Sequence, residues 1–292
     1  MDKNFLRGCG TAMFTPFKNG EVDYEALALC TKRQVAGGVD FLVPLGTTGE
    51  TPTLSAEEKL QVFQTVRSNS GGLPVVVGVG SNSLQGTIDN INLLSGADAF
   101  LVVVPFYNKP PQRGIYQYFK SIASRTTKPV ILYNVPSRTG ANCSAETTLA
   151  LARDVKNIVA VKEASGNLDQ CLEILKGAPE GFGLLSGNDE DTAFLMQNGA
   201  AGVISVASNV LPNTVAGFIH SMQEGRFKEG LVLHDALMPL FKALFVEPNP
   251  IPGKAAMAML GLMENSLRLP LVPAEPGTEE LLREVLKNYK EK

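Results

Sequence analysis

Eight short runs rich in Val, Ile, Leu and Phe recur along the chain, and most lack the polar alternation of a half-exposed strand. They are CGTAMF around Cys9, DFLVPL from Asp40, VVVGV from Val75, AFLVVV from Ala99, VILYNV from Val130, IVAVKEA from Ile158, GLLS from Gly183 and GVISVA from Gly202. Unbroken apolar runs of this length are how strands buried on both faces of a parallel sheet present themselves. Between them the apolar spacing shifts to the helical period, over residues 24–36, 115–124, 145–153, 168–176, 190–197 and 214–223. Ser55 followed three residues later by Glu58 has the form of a capping box and predicts a helix opening at Ala56. Only the connection after VVVGV, around residues 88–94, is too polar to assign.

Eight strands each followed by a helix predict a (β/α)8 barrel, because right-handed parallel crossovers in that number bring the sheet back onto itself. The barrel is expected to occupy residues 1–225. The remainder, 226–292, holds no strand run, and FKEGLVLHDALMPLFKALF, PGKAAMAMLGL and TEELLREVLKNYK predict a helical appendage of three helices. In such a barrel the reactive groups belong at the C-terminal ends of the strands.

Composition narrows the classes of function. At 292 residues and 44% hydrophobic content the chain can bury a large core. A net charge of −3 gives no general attraction to phosphate backbones or anionic lipid, so neither nucleic acid nor membrane is expected as a partner. The longest apolar stretch, from Ala99 to Phe106, falls far short of the ~20 residues of a spanning helix. The opening MDKNFLRGCG lacks the continuous apolar core of a signal peptide, and a cytoplasmic protein is expected. Cys9, Cys30, Cys143 and Cys171 lie far apart without a CxxC pair and are expected as buried free thiols. The charged fraction, 19%, is below the ~25% of an average domain, which points to extra burial inside the fold or against other copies of the chain.

Lys162, near the end of IVAVKEA, has Ala160 and Ala164 as small neighbours on its own strand face. Desolvation there would lower its pKa and make it a carbonyl nucleophile suited to Schiff-base chemistry; the alternative is a structural ion pair with Glu163 or a helix carboxylate. Tyr133 ends the preceding strand and is either a proton carrier or a buried phenol bonded to a carbonyl. Gly46-Thr47-Thr48-Gly49-Glu50 offers hydroxyls and backbone N–H groups to a small carboxylate, or is an ordinary turn. Arg138, after the fifth strand, is a bidentate carboxylate clamp or a solvated loop arginine. Phosphate-binding and dinucleotide-binding glycine motifs are absent from the sequence, and no cofactor is expected. The only histidines, His220 and His234, fall away from any strand end, so a metal mechanism is not expected. Asn249-Pro250-Ile251-Pro252-Gly253-Lys254 has the form of a rigid turn opening a helix.

Taken in order, GTTGE at 46–50, PFYN at 105–108, YNVPSRTG at 133–140, VKEASGN at 161–167, LLSGND at 184–189, GVISVASN at 202–209 and EPNPIPGK at 247–254 resemble the dihydrodipicolinate synthases, within the pyruvate-dependent class I aldolases. The resemblance implies a barrel with a C-terminal helical domain that assembles as a homotetramer, a dimer of tight dimers. It implies that Lys162 forms an imine with pyruvate, and that Tyr133 moves protons through Thr47 to Tyr107, the last reaching in from the neighbouring subunit. It further implies that Thr48 holds the pyruvate carboxylate, with the Ile204 main chain nearby and Gly187 lining the site. Arg138 would hold the carboxylate of L-aspartate 4-semialdehyde.

Two neighbouring readings compete. N-acetylneuraminate lyases and keto-deoxy sugar acid aldolases share the lysine, the tyrosine and a GTTGE-like loop, but a polyhydroxylated substrate calls for neutral groups where this chain carries Arg138. A barrel that binds 2-oxo acids without turnover would have no need of Lys162 and Tyr133 together. Relatives inhibited by lysine use a histidine, a glutamate and a second tyrosine at the dimer interface. The corresponding places here hold Ala56 and Lys59, Gln85-Gly86, and Phe106, so feedback inhibition by lysine is expected to be weak or absent.

Overall fold

A computed structural model describes residues 6–289. In chain order the strands are β1 (Gly8–Ala12), β2 (Phe17–Lys18), β3 (Glu21–Val22), β4 (Phe41–Val43), β5 (Val76–Gly78), β6 (Ala99–Val103), β7 (Val130–Asn134), β8 (Ile158–Glu163), β9 (Gly183–Ser186) and β10 (Gly202–Ser205). The helices are α1 (Tyr24–Ala36), α2 (Ala56–Asn69), α3 (Leu84–Leu93), α4 (Gln112–Ala123), α5 (Pro136–Thr139), α6 (Ala145–Asp154), α7 (Leu168–Gly177), α8 (Thr192–Gln197), α9 (Pro212–Gln223), α10 (Phe227–Ala243), α11 (Ile251–Met259) and α12 (Pro276–Leu286). Eight strands join in one parallel sheet ordered β4-β1-β10-β9-β8-β7-β6-β5, and the alternation with helices is that of a (β/α)8 barrel. Every one of the eight apolar runs is a strand. α10, α11 and α12 follow as the C-terminal helices.

The chain packs into two compact units, one built on Val76–Ile204 and the other on Gly8–Val75 with the chain from Ser205 onward. In the first, the ladders align Tyr133 and Lys162. Val103 pairs Tyr133, Tyr133 pairs Lys162 and Lys162 pairs Leu185, so these four share one level and one face of the sheet. One step further on, Asn134, Glu163 and Ser186 form the next level, facing the other way. In the second unit, Thr11 pairs Leu42 and Ala12 pairs Val43, and β4 delivers the chain into the turn at Gly46–Glu50.

Local chemistry sets the helix boundaries. Asp23 caps α1 by accepting from the Ala26 N–H, and the Ser55 and Glu58 capping box of α2 is complete in both directions. The polar stretch that carries too little periodicity to assign is α3, capped by Ser83 and turning Thr87 and Ile91 inward. α8 begins at Thr192, two residues later than its apolar pattern suggests, because Asp189, Glu190 and Asp191 form the lead-in. The β2–β3 hairpin is too short to show a period, although its turn residues Asn19 and Gly20, both at positive φ, are the pair such a tight turn requires. All four cysteines are buried free thiols, as expected. Among the described residues no helix is long and apolar enough to cross a membrane.

Candidate active site

Lys162 lies on β8 and Tyr133 beside it on β7, both at the C-terminal ends of their strands. The lysine is 6% exposed and the tyrosine 7%, and the ammonium sits 4.4 Å from the centre of the tyrosine ring. The lysine nitrogen therefore packs over the electron-rich face of the Tyr133 ring. The ion pair with Glu163 that the sequence left open is not how Lys162 is held, because consecutive residues on a strand face opposite ways. Glu163 is buried on the other side, where it accepts from Asn134 Nδ2 at 3.1 Å, the Ser165 N–H at 2.9 Å and Gln170 Nε2 at 2.9 Å. Asn142 links the two amides, donating to Gln170 Oε1 and accepting from Asn134 Nδ2.

This amide-lined carboxylate has electrostatic consequences nearby. Burial pushes the Cys143 and Cys171 thiols up to about 12, and the Glu163 charge adds to the effect at both. Thr148, bonded to Cys143, pulls the other way. Neither thiol is a nucleophile at neutral pH.

Arg138 stands on the four-residue helix α5, which Pro136 opens and left-handed Gly140 closes. The loop bearing Phe106 and Tyr107 is stitched to that helix by the Tyr107 N–H, which donates to the Thr139 carbonyl at 3.3 Å. Tyr107, Lys109, Arg138 and Gly140 line one open depression, with two cationic side chains on its rim. Tyr107 is 88% exposed and adopts a φ of 74°, a left-handed conformation that a bulky side chain rarely takes. Gly187 follows β9, its N–H donating to the Glu163 carbonyl at 2.7 Å. A Cβ there would lie 2.5 Å from the Ala164 Cβ, so only glycine fits. Ile204 is fully buried on β10.

Thr47 and Thr48 belong to the second unit, on a single 3-10 turn after β4. The turn is bracketed by two non-glycine residues in the left-handed region, Leu45 at φ 59° and Glu50 at φ 52°. Its groups are pinned from several directions. Thr15 Oγ1 donates to the Gly49 carbonyl at 2.8 Å, Thr51 Oγ1 to the Gly46 carbonyl at 3.0 Å, and Asn249 Nδ2 to Thr48 Oγ1 at 2.9 Å. Glu50 is buried and accepts from Lys254 Nζ at 2.6 Å and from the Arg268 N–H at 3.2 Å. Lys254, wholly buried, also donates to the Thr15 carbonyl at 2.9 Å and lies 4.1 Å from the centre of the Phe17 ring. Burial lowers the Lys254 ammonium to about 8, against the opposing pull of Glu50.

Sequence reasoning thus singled out the lysine and tyrosine that meet on β8 and β7 but gave no role to Asn249, Lys254 or the Glu50 carboxylate. The Pro and Gly residues around them mark 249–254 as a rigid turn opening a helix, and α11 does begin there, at Ile251. Nothing in the local sequence marks the ties to Glu50, because its left-handed backbone and its pairing with Lys254, about two hundred positions away, appear only in the fold.

Among the described residues no group of three or more His, Cys, Asp or Glu could hold a metal ion. A parallel barrel whose strand ends present a buried lysine against a tyrosine has the architecture expected of carbon–carbon lyases of the class I aldolase type. Comparison with known proteins narrows the class: the model of the dihydrodipicolinate synthetase family matches residues 5–289, and the chain belongs to that family. The 4-hydroxy-tetrahydrodipicolinate synthase of Thermotoga neapolitana is 47% identical over 288 residues, covering 97% of this chain and 98% of the relative. Among solved structures, the dihydrodipicolinate synthase of Thermotoga maritima superposes with a TM-score of 0.95 at 45% identity, covering 97% of this chain and 98% of the other. A monomeric dihydrodipicolinate synthase variant superposes equally well, at 0.95 and 45%, over 98% and 97% of the two chains.

Proposed function

We propose that the chain acts as a 4-hydroxy-tetrahydrodipicolinate synthase, condensing pyruvate with L-aspartate 4-semialdehyde. The observation that carries this reading is the enclosure of Lys162 against the Tyr133 ring at adjacent strand ends. The amine, once neutral, attacks the pyruvate C2 carbonyl, and loss of water leaves a protonated imine. That imine is an electron sink, so a proton leaves the methyl group and an enamine forms. The enamine carbon attacks the aldehyde carbon of the second substrate, whose oxygen takes up a proton. The substrate's own amine then closes on C2 and expels the lysine. Each of these steps moves a proton, and we assign that traffic to Tyr133, Thr47 and Tyr107, the last contributed by a neighbouring subunit.

We assign the pyruvate carboxylate to Thr48, with the Ile204 main chain and Gly187 lining the site, and the semialdehyde carboxylate to Arg138. The exposed, cation-rimmed depression beside Tyr107 supports the second assignment. It also separates this reading from sugar-acid aldolases, whose substrates present hydroxyls rather than a short carboxylate at that end. We propose a homotetramer, as a dimer of tight dimers, working in the cytoplasm.

Borohydride reduction in the presence of pyruvate tests the chemistry. A pyruvate adduct should be recovered on Lys162 by peptide mass spectrometry and be missing in Lys162→Ala. Wild-type protein that takes up no adduct would overturn the imine mechanism. Turnover with aspartate semialdehyde, set beside a sugar-acid aldehyde, then identifies the second substrate.

A further inference from the structure

The segment Asn249–Lys254 is joined to the Thr47–Glu50 turn at two points. Asn249 Nδ2 donates to Thr48 Oγ1 at 2.9 Å, and Lys254 Nζ donates to Glu50 Oε1 at 2.6 Å. Both bonds are buried, and the residues joined are about two hundred positions apart in the chain. The Glu50 carboxylate is held at its second oxygen by the Arg268 N–H. Lys254 is tied back to its own turn as well, its N–H donating to the Pro250 carbonyl at 2.9 Å. The turn therefore keeps a strained, left-handed Glu50 because that side chain is one of its anchors.

The first bond does more than hold the chain. A threonine hydroxyl has one hydrogen and two lone pairs. With an Asn249 N–H occupying a lone pair, the Thr48 hydrogen is directed elsewhere, and the hydroxyl is presented as a donor. A substrate carboxylate has only acceptors to offer. We propose that Asn249 is a positioning residue that fixes Thr48 as a hydrogen-bond donor to the 2-oxo acid carboxylate, with the Lys254–Glu50 pair holding the two turns in register. This rests on the assignment of Thr48 to the pyruvate carboxylate made above.

Asn249→Asp tests it with little change of shape, since a carboxylate would accept from Thr48, turn its hydrogen away and add a like charge. Asn249→Ala instead frees the hydroxyl rotor and serves should the aspartate variant fail to fold, as thermal melting would reveal. The readouts are the pyruvate concentration for half-maximal borohydride adduct on Lys162, the kcat at saturating pyruvate, and the KM for aspartate semialdehyde. Asn249→Asp should raise half-saturation by about tenfold or more, the scale of one lost hydrogen bond to a charged group, and Asn249→Ala by less. The semialdehyde KM and kcat should stay within about threefold of wild type. In a Thr48→Val background the same substitutions should add less than about twofold, because the group they act through is gone. Half-saturation unchanged in both Asn249 variants would overturn the proposal, as would an equal loss in the Thr48→Val background. Thr48→Val that binds pyruvate like wild type would overturn it together with the assignment of Thr48. A wild-type protein without any adduct would instead sink the functional reading on which both stand.

Discussion

Glu163 is one residue from Lys162 and is likewise buried, yet its carboxylate is met by neutral donors: two side-chain amides and one backbone N–H. Amide donors aimed at a carboxylate make charge-assisted bonds stronger than neutral ones. They also fix β8 against β7 and α7, one residue from Lys162. Glu163→Gln keeps the shape but turns an NH2 toward groups that are themselves donors. It should lower the unfolding free energy by about 1–3 kcal/mol, the cost of leaving buried donors unmatched. Urea denaturation measures this directly, and a midpoint equal to wild type would show that the amides re-pair without loss. The role of Glu163 was hidden in the sequence because Lys162 is its neighbour in the chain, and adjacency suggested an ion pair that strand geometry forbids.

At the scale of elements, the strands were legible because a parallel sheet buried on both faces needs unbroken apolar runs, and little else in a chain produces them. VILYNV and IVAVKEA also stand out by the polar residues that end their apolar runs. α3 was not legible, since its stability rests on the Ser83 cap and two inward residues rather than on a full apolar face. α11 was legible as a helix opened by a turn, but its contacts were not. Its first turns are buried throughout, with Lys254 among the apolar residues, and its partner Glu50 lies beyond any local pattern. A buried pair of this kind is costly to break and cheap to replace whole. Lys254→Met alone should cost about 3–5 kcal/mol by stranding the Glu50 charge, and Glu50→Gln with Lys254→Met should recover most of that loss. The pair also carries a pH signature. Burial brings the Lys254 ammonium to about 8 from its ordinary 10.5, against Glu50 and with help from the charge of Arg268. Between those values the unfolded chain binds the extra proton, so the stability contributed by this group is lowest below pH 8 and rises toward pH 10.5. The difference in unfolding free energy between wild type and the double variant should therefore climb across that window and be level below it. A difference that stays flat from pH 8 to 10.5 would mean that the lysine titrates as it does in water.

For the whole molecule, the low charged fraction and the state of Tyr107 ask the same question. Only 19% of residues are charged, and a tyrosine assigned to proton transfer is 88% exposed on a left-handed backbone. Backbone strain at a side chain that its own subunit leaves in solvent makes sense if the surroundings that use it belong to another copy. Subunit complementation separates this from a tyrosine that serves its own chain. Lys162→Ala and Tyr107→Phe should each be nearly inactive when expressed alone. When the two are co-expressed and pair at random, half of the dimers are mixed, and each mixed dimer holds one site with an intact lysine facing an intact tyrosine from the other subunit. Activity should then return to roughly a quarter of wild type per site. If Tyr107 serves its own subunit, no mixed dimer contains a complete site, and activity stays at the mean of the two parents. Sedimentation at the assay concentration completes the test, because a fully active monomer would remove the need for any second copy.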